Sequence, residues 1–130
     1  MTPELTILAW TLVLAVAQIL LPATLRNKET GIAYNVSARD TPAPPPRPLT
    51  GRLQRAHANL METLPLFAAA VLMAHVTGRE GGIVLLGAQI YAGGRLLYLP
   101  VYALGIPYLR SAVWGISLSG LMLILVALLK

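Results

Sequence analysis

The chain has 130 residues, of which 56% are hydrophobic and 12% are charged, and its net charge is +5. Soluble domains carry about 25% charged residues, so this composition excludes an ordinary soluble protein and predicts an integral membrane protein. The lack of cysteine excludes disulfides, thiolate metal sites and a cysteine nucleophile. We attribute the positive charge to membrane topology and to a site for an anion, and not to nucleic-acid binding.

Four apolar stretches match the roughly 20 residues needed to cross a hydrocarbon core. They predict helices over about 3–25, 49–77, 83–103 and 108–129, in one four-helix membrane domain that spans residues 1–130. The first stretch is interpreted as a retained helix and not a signal peptide, because Glu4 precedes it where basic residues are expected. Its most polar interior residue is Gln18. The connection 26–48, rich in proline and charge, is predicted to be irregular.

Basic residues are concentrated around this first connection. Six of the ten lie between Arg26 and Arg55, whereas only Arg79 lies in the second connection. The positive-inside rule therefore predicts a cytoplasmic first connection and both termini outside, which is periplasmic in a bacterium. The start of the second helix, the end of the third and the start of the fourth then share the cytoplasmic half of the membrane.

A polar stripe opens the second helix. Arg52, Arg55, Asn59 and Glu62 lie within roughly 80° of one another on a helix with 3.6 residues per turn. Ionisable groups at membrane depth are costly, so such a stripe is expected to line a site or a buried interface. Glu62 is expected to hold an arginine, with Arg95 as the candidate, or the ammonium group of a ligand.

The third helix carries a second polar stripe. Tyr91, Arg95, Tyr98 and Tyr102 lie within about 60° of one another. Arg95 is roughly 15 Å from the end of its helix, which is deep for a side chain that only reaches for the interface. Tyr91 and Tyr98 are also too deep for an interfacial aromatic belt, so they are expected to face the site or the bundle core.

The fourth helix begins with Arg110 and Ser111. The pair is interpreted either as a positively charged membrane anchor or as a stabiliser of a bound anion or thiolate. An arginine supplies a fixed charge and several donors, and a serine adds a hydroxyl donor. Together they can lower the pKa of a bound thiol by favouring its anion.

Two runs carry a resemblance to a known family. RAHANLMETLPLF resembles the second-helix signature of the MAPEG superfamily, the membrane-associated proteins in eicosanoid and glutathione metabolism. GGRLLYLPVYALGIPYLRS is similar to the third helix and the start of the fourth in that superfamily. The resemblance covers nearly the whole chain and is to bacterial-type members similar to microsomal glutathione transferases. It implies an all-α membrane protein, a four-transmembrane-helix bundle assembling as a homotrimer, with glutathione as co-substrate and no metal.

The resemblance also implies roles for individual residues. Arg110 and Ser111 would be catalytic, at the sulfur of glutathione. The implied glutathione-binding residues are Arg52, Arg55, Asn59, Glu62, Arg95, Tyr98 and Tyr102. Two positions depart from the family pattern: Ala58 stands where some members have arginine, and Trp114 stands where tyrosine is frequent.

Two functions follow from these observations. The leading hypothesis is a glutathione-dependent transferase or peroxidase of the bacterial inner membrane, whose second substrate is a lipophilic electrophile that arrives through the membrane lipids. The alternative is a non-catalytic protein of the same scaffold that binds a lipid or an anionic metabolite, or regulates a partner. A small multidrug transporter is disfavoured because the first helix contains no interior carboxylate.

Overall fold

In the computed structural model, which describes residues 1–130, the chain is all-helical. The five helices are α1 (Pro3–Thr30), α2 (Ile32–Val36), α3 (Pro48–Val76), α4 (Gly82–Ala103) and α5 (Pro107–Leu129). The four long helices have the length and hydropathy needed to cross a membrane, whereas α2 is a short segment of the first connection. The protein is therefore an integral membrane protein with four membrane helices, as the sequence predicts.

The four long helices give the bundle two distinct ends. We call the end with residues 31–47 and the α4–α5 turn (104–106) the loop end. The opposite end, with both chain termini and the α3–α4 turn (77–81), is the termini end. The helices α1 and α4 begin at the termini end, and α3 and α5 begin at the loop end.

Local sequence determines where the helices begin. Thr2 caps α1 by accepting a hydrogen bond from the Leu5 amide, and Pro3 follows as the first helical residue. Prolines also occupy the first position of α3, at Pro48, and of α5, at Pro107. A proline suits this position because its fixed φ is helical and its missing N–H would have no partner there.

The helix α1 is longer than predicted, ending at Thr30 instead of Leu25. The connection predicted to be irregular also contains α2. The physical reason is Glu29, which accepts hydrogen bonds from the Arg47 amide (2.8 Å) and the Thr50 hydroxyl. These contacts hold the last turn of α1 against the start of α3, so the helix continues past the apolar segment.

Glycines allow α4 and α5 to cross at short distance. A Cβ atom built on Gly120 would lie 2.5 Å from the Gly87 carbonyl oxygen and 2.5 Å from the Tyr91 amide nitrogen. A Cβ atom on Gly94 would lie 2.7 Å from the Ser117 Cβ atom. The Ser117 hydroxyl donates to the Tyr91 carbonyl across this contact, at 2.9 Å. Small residues here therefore set the helix separation, as in other membrane helix pairs.

An aromatic cluster lies at the centre of the core. The Phe67 ring of α3 stacks on the Tyr91 ring of α4, with centroids 4.0 Å apart. The Tyr91 hydroxyl shares a hydrogen bond of 2.8 Å with the Thr63 hydroxyl, and both residues are buried. Tyr91 is therefore a core residue whose polar group already has a partner within the chain.

Polar contacts join the helix ends at the termini end. The Glu80 carboxylate accepts a hydrogen bond from the Thr2 hydroxyl (2.6 Å) and lies 3.0 Å from His75 Nδ1. The buried Glu4 carboxylate accepts from the Gly81 amide, which joins the start of α1 to the start of α4. The Arg79 guanidinium donates to the Leu128 carbonyl (2.7 Å) and so caps α5.

The Glu80 contacts predict an acid-sensitive stability. The hydrogen bond from Thr2, and to a lesser extent that from His75, holds the pKa of Glu80 below its usual value of 4.5. Because the folded state favours the charged carboxylate, this contribution is present above pH 4.5 and is lost as the pH falls through the lower folded-state pKa. We expect the apparent Tm, followed by circular dichroism in detergent, to fall over that range.

The variant Glu80→Gln is expected to lose part of this acid sensitivity. The variant Asp40→Asn removes an exposed carboxylate of the first connection and serves as the matched control. It is expected to show the same dependence of Tm on pH as the wild type. An acid profile of Glu80→Gln that superimposes on that of the wild type would contradict the expectation.

Candidate functional site

The side chain of Tyr102, on α4, joins the predicted site residues of α3 and α5 near the loop end. Its hydroxyl accepts a hydrogen bond of 3.0 Å from Arg55 Nε. Its ring lies under two guanidinium groups, with the Cζ of Arg110 at 5.0 Å from the centroid and that of Arg55 at 5.9 Å. Both distances are within the range of cation–π attraction. One tyrosine thus holds two positive charges side by side.

Arg95 lies deeper in the bundle and is 1% exposed. Its Nη1 donates to Asn59 Oδ1 on α3, at 2.7 Å, and its Cζ lies 4.3 Å from the Tyr98 ring centroid. Tyr98 in turn packs edge-on against Tyr102, with centroids 5.6 Å apart. Asn59, Arg95 and Tyr98 are therefore continuous with the cluster around Tyr102.

Three donors in this cluster have no hydrogen-bond partner within the chain. They are Nε and Nη2 of Arg95 and the hydroxyl of Tyr98, and all three atoms are buried. Unpartnered buried polar groups are rare and costly, and at functional sites they mark positions that receive a ligand or water. This part of the cluster therefore has donor capacity that the chain itself does not use.

Arg52 is held against the α4–α5 turn. Its Nη1 donates to the Ala103 carbonyl at 3.2 Å, and a Cβ atom on Gly105 would lie 2.9 Å from the Arg52 Cζ. Gly105 also has φ +73°, a conformation that side chains rarely adopt. Gly105 therefore both makes the turn and leaves room for the guanidinium.

Glu62 does not pair with Arg95. Arg95 donates to Asn59 instead, and the ion pairs within the chain are Arg26–Glu29 and His75–Glu80. Arg95 is buried and its Nη1 is taken by Asn59, whereas Glu62, on the same helix as Asn59, is exposed. The expected pairing of Glu62 with Arg95 is therefore absent within the chain, and a ligand ammonium as the partner of Glu62 stays a prediction.

The charges of this cluster are unbalanced. Four guanidinium groups accompany a single carboxylate, Glu62, which is exposed. The Arg110 guanidinium contacts the Tyr102 ring and donates no hydrogen bond within the chain. Ser111, beside it, is exposed. We name this cluster the arginine face; it consists of Arg52, Arg55, Asn59, Glu62, Arg95, Tyr98, Tyr102, Arg110 and Ser111.

The arginine face is not enclosed by a single chain. Two cavities lie elsewhere, one an apolar groove of about 490 Å³ between α1 and α4, the other a polar cavity of about 420 Å³ beneath the first connection. Glu62 lies 14 residues after Pro48, where α3 begins, and thus about 21 Å into a membrane helix. An exposed carboxylate at that depth requires a covering surface, because charges are not left facing lipid.

A family model described as MAPEG family matches residues 7–130, which is nearly the whole chain. The chain belongs to the MAPEG family. The matched range includes every residue of the arginine face. No curated protein matches the chain. The protein is therefore a membrane protein of the glutathione and eicosanoid metabolism superfamily.

Several contacts in this MAPEG chain could not be predicted from the helical periodicity of the sequence. The Ala103 carbonyl that receives Arg52 is a backbone group, and Gly105 could be read only as a turn residue. The hydrogen bond between Arg95 and Asn59 depends on the relative rotation of α3 and α4, which one stripe on each helix does not determine. No group of three His, Cys, Asp or Glu side chains is placed to hold a metal ion.

Proposed function

We propose that the protein binds glutathione on the arginine face and uses it as the nucleophile of a transferase or peroxidase reaction. The observation that supports this most directly is the charge of the face, four guanidinium groups with one exposed and unpaired carboxylate. Glutathione carries two carboxylates, one ammonium group and a thiol. Its charges are therefore complementary to the face, with Glu62 as the counter-charge of the ammonium.

The remaining groups suit the rest of the molecule. Arg52 and Arg55 offer donors to the two carboxylates, since arginine binds carboxylates with two parallel hydrogen bonds. The buried Arg95 contributes its charge and positions Asn59. Asn59 accepts from Arg95 through its oxygen, which leaves its NH₂ group to donate to a peptide carbonyl. The Tyr98 hydroxyl has no partner within the chain and supplies a further donor.

In this proposal Arg110 and Ser111 act at the sulfur. The Arg110 charge favours the thiolate over the thiol, and the Ser111 hydroxyl donates to it. In the transferase reaction the sulfur attacks an electrophilic carbon, a C–S bond forms and the leaving group departs with its electron pair. In the peroxidase reaction the thiolate attacks a peroxide oxygen, an S–O bond forms, and the O–O bond breaks to release an alkoxide or hydroxide that takes up a proton. The thiolate of a second glutathione then attacks the sulfur, forms the disulfide and displaces the bound oxygen as water.

We propose that a second copy of the chain covers the arginine face, in a homotrimer. The exposed Glu62 and Arg55 support this, because they lie on a helix that crosses the membrane and cannot face lipid without a large cost. We also propose that the loop end, with six of the ten basic residues in and beside its first connection, faces the cytoplasm of a bacterial inner membrane.

Glu62 provides a test of how the ligand is bound. The variant Glu62→Gln is expected to raise the Kd of glutathione about 30-fold, since it removes one partner of a desolvated charge pair worth roughly 2 kcal/mol. Binding is measured by calorimetry on detergent-purified protein. N-acetylglutathione, whose nitrogen carries no charge, is expected to bind the wild type and the variant equally.

The matched control is Glu80→Gln, which removes a carboxylate at the termini end and is expected to leave the Kd unchanged. If Glu62→Gln weakens glutathione and N-acetylglutathione by the same factor, Glu62 does not bind the ammonium. If the wild type does not bind glutathione at all, the proposed function is wrong.

Trp114 favours a second candidate function. It is partly exposed on α5, three residues after Ser111, and unlike tyrosine it has no hydroxyl to offer a sulfur. A non-catalytic member would bind glutathione, a lipid or another anionic metabolite on the same face without activating a thiol. Saturable glutathione binding with a protonated thiol would support this second candidate.

A further inference from the structure

Gln18 is a buried amide in the middle of α1. It is 2% exposed, and neither its Oε1 nor its Nε2 has a hydrogen-bond partner within the chain. Pro22 follows four residues later and has no N–H, so it cannot donate the helical hydrogen bond to the Gln18 carbonyl. One residue thus presents three polar atoms to the interior of a membrane protein, where water from the bulk does not satisfy them.

The helix register places Gln18 at the depth of Arg95. The Glu4 carboxylate bonds the Gly81 amide, so α1 and α4 begin side by side and run in the same direction. Gln18 lies 14 residues after Glu4, and Arg95 lies 14 residues after Gly81. At 1.5 Å per residue each is about 21 Å from the shared starting level.

The loop end gives the same alignment for α3. Glu29 bonds Thr50, which fixes α1 against the start of α3. Gln18 lies 11 residues before Glu29, about 17 Å deep, and Asn59 lies 9 residues after Thr50, about 14 Å deep. The helix α1 packs against both α3 and α4. The buried Gln18 therefore lies at the same depth as the hydrogen bond between Arg95 and Asn59, on a helix that packs against both α3 and α4.

Both Gln18 and Arg95 have buried hydrogen-bonding groups without a partner. Nε and Nη2 of Arg95 are buried without a partner, as are both amide atoms of Gln18. At 1% and 2% exposure, neither side chain can be reached by lipid or by a second copy of the chain. A water molecule is small enough to bridge them, and buried waters typically make about three hydrogen bonds to such groups.

We propose that a buried water-binding site lies between α1 and α4, and that through it Gln18 positions the Arg95 guanidinium. The water accepts from Arg95 and donates to the Gln18 amide oxygen or to the carbonyl that Pro22 leaves without its helical partner. Gln18 is a positioning residue, since it acts on the arginine face through Arg95. This role is independent of which ligand the arginine face binds.

The variant Gln18→Leu distinguishes a bridged amide from an unsatisfied one. If a water bridges Gln18 to Arg95, Gln18→Leu is expected to lower the apparent Tm by on the order of 5 °C, because Arg95 then loses its water-mediated hydrogen bond to Gln18. An amide without any partner would be replaced favourably by leucine, and the apparent Tm would rise. An unchanged or higher Tm of Gln18→Leu would overturn the proposal.

A double-mutant cycle with Arg95→Met tests the coupling directly. The Tm decreases of Gln18→Leu and Arg95→Met are expected to be less than additive, since each removes the same bridge. The control cycle pairs Arg95→Met with Thr11→Val, a buried substitution on the same face of α1 and two turns away, and is expected to be additive. Additivity in the Gln18 cycle would contradict the bridge.

The conservative variant Gln18→Glu keeps the test decisive if Arg95→Met does not fold. A carboxylate at this position can accept from Arg95, so Gln18→Glu is expected to match or exceed the wild-type Tm while Gln18→Leu falls below it. Where Arg95→Met does fold, adding Gln18→Glu is expected to lower its Tm, because a buried carboxylate is then left alone. A Gln18→Glu variant as unstable as Gln18→Leu would overturn the role of Arg95.

Discussion

Replacing Arg110 by alanine is expected to return the pKa of bound glutathione's thiol to near its solution value and to lower kcat about 100-fold. The Arg110 guanidinium contacts the Tyr102 ring and donates no hydrogen bond within the chain, so its charge is available to a bound anion. The Kd of glutathione is expected to change little, because the other arginines bind its carboxylates. The rate is measured with an activated aryl chloride as electrophile.

The matched control for Arg110→Ala is Arg79→Ala. Arg79 caps the end of α5 at the termini end, so this substitution removes the same charge from the same protein at a distance from the arginine face. Arg79→Ala is expected to leave the pKa of the bound glutathione thiol unchanged. An Arg110→Ala variant that still binds glutathione as a thiolate would show that Arg110 does not stabilise the sulfur anion.

Replacing Gly120 by valine is expected to cost about 3 kcal/mol of folding stability. The new Cβ would lie 2.5 Å from both the Gly87 carbonyl oxygen and the Tyr91 amide nitrogen, and backbone atoms cannot yield as a flexible side chain can. The helices α4 and α5 must then separate, and the hydrogen bond from Ser117 to the Tyr91 carbonyl is lost. We expect little monodisperse protein on size-exclusion chromatography and a strongly reduced apparent Tm.

Gly115 offers the control on the same helix. A Cβ atom at Gly115 has no atom within 4 Å, so Gly115→Val is expected to remain within a few degrees of the wild-type Tm. Wild-type stability of Gly120→Val would mean that α4 and α5 do not cross as closely as the structure has them.

The positions of the membrane helices could be predicted because each contains a mostly apolar segment of membrane thickness. The end of α1 could not, because it depends on Glu29, whose partners Arg47 and Thr50 are distant in sequence. The network of Thr2, His75 and Glu80 was likewise unpredictable, since it joins three segments at one end of the bundle. Hydropathy determines that a segment crosses the membrane, but polar contacts between segments determine where each helix ends.

For the arginine face, too, the sequence predicted which residues are buried but not which residues they contact. The sequence predicted, from their depth in the membrane, that Tyr91 and Tyr98 face the site or the bundle core, and both are buried. It did not predict that Arg95 would bond Asn59, because the pairing depends on how α3 and α4 are rotated against each other. The roles assigned to these residues in binding glutathione stay predictions.

The most direct measurement is the ultraviolet difference spectrum of glutathione added to detergent-purified protein, recorded where a thiolate absorbs and titrated over pH. The arginine face predicts saturable binding of glutathione as a thiolate, with a thiol pKa well below that of free glutathione. Saturable binding without a thiolate signal at neutral pH would contradict the proposed activation of the sulfur. The absence of any binding would contradict the assignment of the arginine face to glutathione.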